Sequence, residues 1–393
     1  MSELSKYYLM SLNTPLLELD ILPETGSIIR VTKVLNKDSL PYGVDGSTVS
    51  VFEWSAGRRI PASRKHMRDL SLKYGMDFLI YNSLALSLSD SFWIKSINSD
   101  ISWEDVNFFT NNFTDDVGEF LVQGDGKILS LMSPSNTTDG VYPKKWTIID
   151  GFRALVKQGD RDGRKFDDVS EIIATDVLSI LSRYKKIPYA SYFRVDQMSC
   201  ASWNFVKEGQ NLITAYKYLL HMDSDPEYNT RDYCYRVLEQ SIAKESIDLM
   251  LVLDYILFNR DRHFNNFGFI QDAKTGNLLG PAPIYDTGCS LFAAFGVGHK
   301  DDIINKDFKS RPFAPTHNSQ IKYVNLSNFK QELEEISYEI ENIISTRYEE
   351  CNVDKKAVKS LCIVVQQRVN GLLNQSNKQM FDTPTFGASD NFR

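Results

Sequence analysis

The feature that most constrains this chain is an apolar helical stripe that runs directly into a polar cluster. Ile242, Leu249, Met250, Leu253, Ile256 and Leu257 recur at intervals that place them on one face of a buried helix. Asn259-Arg260-Asp261-Arg262-His263-Phe264-Asn265-Asn266 follows at once. A polar loop fixed to the end of a rigid element is a common site for catalytic groups. Two apolar runs, 267–270 and 278–284, then bracket Lys274-Thr275-Gly276-Asn277, which reads as a hairpin turn. The second run leads into Tyr285-Asp286-Thr287-Gly288. The pattern predicts a helix, a loop and a hairpin that folds Asp286 back beside Asn266.

That order suits phosphoryl transfer, which is mainly positioning and charge neutralisation. One carboxylate must orient the attacking hydroxyl, and Asp261 is placed for it. Hard oxygen ligands must hold magnesium on the phosphates, a role for Asn266 and Asp286. His263 can brace Asp261 by a hydrogen bond. Taken singly, each of these residues also fits a solvated turn or a helix cap. Four in register around a hairpin favour catalysis.

Further parts lie upstream in the required sequence. Runs at 146–149 and 152–156 flank Asp150-Gly151, a hairpin signal. Lys157 ends the second strand. After a charged loop at 159–168, a helix is predicted from about Val169, with Ser170 as its N-cap and Glu171 in its first turn. A strand lysine held by a helix glutamate is the kinase arrangement for gripping nucleotide phosphates. The pair also fits an ordinary strand end and a first-turn acid favoured by the helix dipole. The stretch 136–144, with Gly140 as its only glycine, sits where a phosphate-covering loop belongs.

The rest of the chain sets bounds. At 393 residues it can form two lobes or several domains. No apolar run approaches the roughly 20 residues needed to span a bilayer, and the opening Met-Ser-Glu-Leu-Ser-Lys is not a secretory signal. A cytoplasmic protein is expected. The five cysteines are scattered, with no Cys-x-x-Cys pair, so neither a zinc site nor a disulfide framework is expected. His66, His221, His299 and His317 lack metal-ligand spacing. A net charge of -7 tilts against direct nucleic-acid binding.

Runs at 7–12 and 16–21 separated by Asn13-Thr14-Pro15 predict a hairpin, and 28–35 a third strand. A helix is expected after Pro61; its Arg64, Lys65 and Arg68 read as a solvated face in preference to a binding patch. The aromatics at 92–93 and 103–113 read as packing. Helical patterns return at 326–347 and 357–373, and the chain from 375 onward reads as unstructured.

The segment 259–266, with Pro283-Ile284-Tyr285-Asp286, resembles the active-site signature of the HipA-like serine/threonine kinases, Asp-x-His-x-x-Asn followed by Pro-x-Tyr-Asp. The resemblance implies Asp261 as catalytic base, His263 as the signature histidine, and Asn266 and Asp286 as magnesium ligands. Lys157 resembles the ATP lysine and Glu171 its helix partner. Gly140 and Lys144 resemble the ends of the family's Gly-x-x-x-Lys phosphate loop, with Thr137 and Thr138 near its regulatory autophosphorylation site. The sequence departs from well-known members at Asn265, where they often carry Lys.

The implied fold is α+β, a two-lobed protein-kinase-like (HipA-like) fold with a small N-terminal mixed subdomain and a mainly helical C-terminal lobe. The expected divisions are an N-terminal subdomain over 1–130, a nucleotide-binding lobe over 131–200, a helical lobe with the catalytic and metal-binding loops over 201–375, and a disordered tail over 376–393. The resemblance implies ATP and Mg2+, a protein substrate with an acceptor Ser or Thr, and an antitoxin-like partner protein in a toxin–antitoxin setting. No membrane association is expected. Two other readings stand beside it: a lipid or small-molecule kinase on the same fold, and a catalytically silent nucleotide-binding scaffold or repressor.

Overall fold

The computed structural model describes residues 3–64, 66–124, 127–140, 142–159, 166–291, 308–351 and 353–382. Lys65, His299, most of the charged loop expected at 159–168 and residues 383–393 of the expected tail lie outside these described residues. The chain forms two compact units.

Among its described residues the first unit, Met1–Gly163 with Tyr189–Lys244 and His263–Tyr285, carries three antiparallel sheets. Strands β1 (Ser5–Ser11), β2 (Thr14–Leu22), β3 (Ser27–Val34) and β4 (Phe92–Ser96) form a sheet in the order β3-β2-β1-β4. The predicted hairpin and third strand are therefore present. Leu9, Leu17, Leu19 and Ile21 pack against Val51 and Trp54 of the Thr48–Ala56 helix. Each such aliphatic side chain, fully withdrawn from water, stabilises by about 1.5–3 kcal/mol. That helix starts at Ser47, whose hydroxyl accepts from the Ser50 N–H at 3.2 Å.

The second sheet, β5-β6-β8-β7, contains β5 (Lys144–Ile149), β6 (Phe152–Gln158), β7 (Tyr192–Arg194) and β8 (Ser199–Trp203). Asp150 and Gly151 both take positive φ, 49° and 83°. This is the twist-matched two-residue turn expected from the dipeptide. The third sheet runs β11-β10-β9, from β9 (Gln210–Thr214), β10 (Gly268–Asp272) and β11 (Leu278–Pro281). Its hairpin turns on Asp272, whose carboxylate accepts from the N–H groups of Lys274 at 3.0 Å and Thr275 at 2.7 Å.

Two N-terminal expectations are corrected. The helix placed directly after Pro61 is instead a turn followed by helices Met67–Tyr74 and Met76–Asn82. Arg64 is not on a solvated face but 2% exposed, because its guanidinium finds main-chain carbonyl partners described below.

The second unit, Arg164–Pro188 with Glu245–Arg262 and Asp286–Arg393, is built on helices Asp167–Leu181, Lys244–Leu257, Lys330–Glu349 and Lys355–Asp382. Leu333, Ile336, Ile340 and Ile344 form the buried stripe of the third. Arg347 ties that helix to the first through Asp176, Nε to Oδ2 at 2.8 Å. Three details differ from expectation. Ser170 is not an N-cap: the helix begins at Asp167, and the Ser170 hydroxyl donates to the Ser290 carbonyl at 2.9 Å. Ile242 is exposed and precedes its helix instead of joining the stripe. The last helix passes 375 and reaches Asp382, so the start of the segment expected as a disordered tail, 376–393, is helical.

Candidate active site

The residues singled out by sequence fall on both units, and each set is built by its own unit. In the second unit the site begins where the Lys244–Leu257 helix stops. Phe258 takes the left-handed φ of 56°, and the Asn259 N–H bonds back to the Asp254 carbonyl at 3.0 Å. This is the six-to-one bond of a Schellman cap, with a phenylalanine where glycine is usual. A bulky residue in that conformation is held there by its surroundings at a cost of order 1–3 kcal/mol. Here the Leu291 N–H bonds to the Leu257 carbonyl at 2.8 Å, and the Arg368 guanidinium lies 4.1 Å from the Phe258 ring centroid.

Asp254, an acid within the apolar stripe, organises the loop that follows. Its carboxylate accepts from Arg262 Nε at 2.8 Å, Arg262 Nη2 at 3.0 Å and Asn259 Nδ2 at 2.8 Å. Asn259 Oδ1 in turn accepts the Asp261 N–H at 3.2 Å. Both charged side chains of the Asp254–Arg262 pair are fully buried, whereas the Asp261 side chain is 49% exposed and lies 3.8 Å from Arg311. The Asp261 backbone is thus fixed while its carboxylate remains accessible.

Asp286 is fixed from its C-terminal side. Glu171, fully buried, accepts from both the Thr287 N–H at 2.9 Å and the Thr287 hydroxyl at 2.5 Å. Asp286 itself takes φ 58°, a region non-glycine residues visit sparingly. Gly288 approaches the Asp167–Leu181 helix closely: a Cβ there would lie 3.3 Å from Asp167 Cβ and 3.4 Å from Glu171 Oε1. Burial works against the charge on Arg262, but Asp254, with Asp286 and Glu171, outweighs it and raises its pKa. One buried cation next in sequence to Asp261 therefore lies in the field of Asp286 and Glu171.

In the first unit, the segment 263–267 is pinned to the end of β9. The Tyr216 N–H donates to the Phe264 carbonyl at 3.0 Å, and Thr214 Oγ1 donates to Asn265 Oδ1 at 3.1 Å. Tyr285 Oη donates to the Asn265 carbonyl at 2.8 Å. Asn266 is buried, with its N–H on the His263 carbonyl at 2.9 Å, and His263 Nδ1 accepts from the Asn265 N–H at 3.3 Å.

The candidate phosphate loop and its lysines meet on the β5–β6 sheet. Lys144 and Lys157 are direct cross-strand partners, so their side chains leave the same face. Both are buried, and Lys157 Nζ stands 5.1 Å from the Tyr192 ring centroid. Gly140 has φ 91°, and a methyl group on it would collide with Lys144 Nζ. Thr137 Oγ1 donates to the Leu86 carbonyl at 3.0 Å, and Thr138 Oγ1 to the Ser135 carbonyl at 2.8 Å. Both threonine hydroxyls are engaged by main chain.

The structure thus gathers Gly140, Lys144 and Lys157 in one unit and Asp261, Glu171 and Asp286 in the other. Asn266 and His263 share a turn in the first unit. Sequence reasoning gave no role to Asp254, Asn259, Arg262 or Thr287. Asp254 carried a signal: an acid at a helical position surrounded by Leu, Val and Ile needs a buried partner. For magnesium the donor chemistry of each residue is of the right kind, since Asp286 in the second unit and Asn266 in the first each carry a hard side-chain oxygen. Among the described residues no group of three or more His, Cys, Asp or Glu could form a closed metal cage. No helix of the described residues is long and apolar enough to cross a membrane.

The architecture that carries these residues is a mixed α/β protein-kinase-like fold of the HipA type. HipA of Shewanella oneidensis MR-1, solved with HipB and its operator DNA as a toxin–antitoxin system, aligns over 95% of this chain and 97% of its own, at 12% identity and a TM-score of 0.50. The Helicobacter pylori proinflammatory kinase CtkA aligns over 60% of this chain and 92% of its own, at 14% identity and a TM-score of 0.45. No family model and no curated protein matches the sequence.

Proposed function

We propose that this chain is an ATP- and Mg2+-dependent serine/threonine protein kinase of the HipA-like type. Asp261 accepts the proton of the acceptor hydroxyl, and His263 shapes the turn that follows it. Lys144 and Lys157 contact phosphate oxygens, Lys157 with Glu171 as its partner, and Gly140 lets the loop backbone approach the nucleotide. Asn266 and Asp286 hold magnesium, which when bound neutralises charge on the phosphates. Adenine lies near 199–210.

The observation that carries this reading is the buried Arg262. It adjoins Asp261, is clamped by Asp254, and feels Asp286 and Glu171. Such rigid support beneath an accessible carboxylate suits preorganised catalysis and is more than a solvated loop needs. The acceptor is a Ser or Thr of a protein, and an antitoxin-like protein is the proposed partner. Autophosphorylation at Thr137 or Thr138 requires their main-chain bonds to open first.

Nucleotide titration tests the reading. Wild type should bind ATP more tightly with magnesium than with a chelator, and Asp286→Asn should abolish that difference while adenosine binding is kept. Equal ATP affinity with and without magnesium in the wild type would move the assignment to a silent scaffold.

A further inference from the structure

The N-terminal region supplies the support for the candidate phosphate loop. Asn136 Nδ2 donates to the Leu131 carbonyl at 2.6 Å and lies 3.4 Å from that of Leu79. Thr137 reaches the Leu86 carbonyl. Arg64 then closes the turn: Nε and Nη2 both donate to the Gly140 carbonyl, at 2.8 and 2.6 Å, and Nη2 also donates to the Thr138 carbonyl at 2.5 Å. A guanidinium 2% exposed, with two carbonyls of a three-residue stretch on its fork, is a built contact and not a surface encounter.

The consequence follows from peptide geometry. In a trans peptide the C=O and the following N–H point in opposite directions. Drawing the Thr138 carbonyl onto Arg64 turns the Asp139 N–H away from it. The Gly140 N–H already carries an anion, since Asp139 Oδ1 accepts from it at 2.6 Å. Lys144 Nζ sits against Gly140 on the same loop. Only a planar fork can hold two carbonyls in this way; an ammonium is a point donor on a flexible stem. Burial lowers the Arg64 pKa to about 10, opposed by Asp139, so the group stays charged near neutral pH.

We infer that Arg64 is the positioning residue of the phosphate loop: it sets the direction of the loop's main-chain groups so that they and Lys144 receive the phosphates of ATP. The inference rests on the kinase reading and adds a role for the N-terminal region within it. Arg64 touches no reacting atom.

The test uses the full chain and compares ATP with adenosine, which lacks the phosphates. In Arg64→Lys, ATP should bind about tenfold more weakly, the loss of one charge-assisted hydrogen bond's worth of organisation. Adenosine affinity should be unchanged. Should that variant melt below the working temperature, Thr137→Val removes the Leu86 anchor of the same loop and should show the same ATP-selective loss. Equal weakening for ATP and adenosine, as a general staple would give, overturns the inference, and so does no weakening of either. A wild type that binds ATP no better than adenosine overturns the kinase reading itself, and that result needs no variant.

Discussion

Replacing Asp254 with alanine should be among the most destabilising single changes in the second unit. The mutation removes a carboxylate that accepts three hydrogen bonds and leaves the Arg262 guanidinium buried without its counter-ion. Both side chains are fully buried, so no discount for solvent screening applies. Breaking such a pair from one side costs about 3–5 kcal/mol. At about 2–4 °C per kcal/mol for a domain of this size, melting should fall by roughly 10 °C. Arg262→Met should cost a similar amount by stranding Asp254. The double change Asp254→Leu with Arg262→Met should cost less than either single one, because no charge is left uncompensated. Denaturant titration of wild type, Asp254→Leu, Arg262→Met and the double variant closes a double-mutant cycle, with a coupling at least as large as one single loss expected, about 3–5 kcal/mol. Single losses below about 1 kcal/mol, or a double loss equal to their sum, would refute the reasoning. The double variant should nonetheless lose turnover, because Asn259, which caps the Asp261 N–H, is released.

Three further outcomes are expected. Burial, with Arg368 and Arg260 nearby, pushes His317 from 6.5 to about 3, so it is neutral when folded and takes up a proton when unfolded below pH 6.5. The unfolded state binds more protons in that window, so stability should fall with falling pH from 6.5 towards 3, by up to about 1.4 kcal/mol per unit; His317→Gln should flatten the slope, and an unchanged slope contradicts the assignment. Thr287→Val deletes the hydroxyl bond to Glu171 but keeps the backbone one, and should cost about 1.5–3 kcal/mol in denaturant titration while Thr287→Ser costs less. Gly268→Ala should destabilise by about 1–3 kcal/mol or more, because its Cβ would collide with the Ile213 carbonyl across the β9–β10 ladder; a melting temperature equal to wild type would show that the ladder yields there.

The local chemistry of the fold was legible where short-range rules decide it. Asp150-Gly151 specified its turn because both residues tolerate positive φ. Lys274-Thr275-Gly276-Asn277 did so through Asp272, whose carboxylate the Lys274 and Thr275 N–H groups reach. The kinase-like fold was legible through the spacing of Asp261, Asn266 and Asp286. Residues whose partners are remote in sequence were not. Arg64 reads as one of a basic trio, and its burial depends on carbonyls 74 and 76 positions away. Ser170 looks like an N-cap until the helix is seen to start at Asp167, after which its hydroxyl serves Ser290. Phe258 in a left-handed conformation runs against its own preference, and tertiary neighbours hold it there, among them Arg368 over its ring and Phe308 edge-on to it. Polar tracts also mislead: the segment after 375 has the composition of a tail, yet its first residues continue a helix whose apolar face is already buried.

The measurement that tests the central claim most directly is transfer of label from the γ-phosphate of ATP, with magnesium, to the protein itself or to proteins of a lysate. Wild type is compared with Asp261→Ala and Asp286→Ala, each first shown to melt as wild type does. The account predicts phosphoserine or phosphothreonine with the wild type and loss in both variants. Label that survives Asp261→Ala, or a wild type that binds ATP yet transfers nothing to any protein hydroxyl, would contradict it.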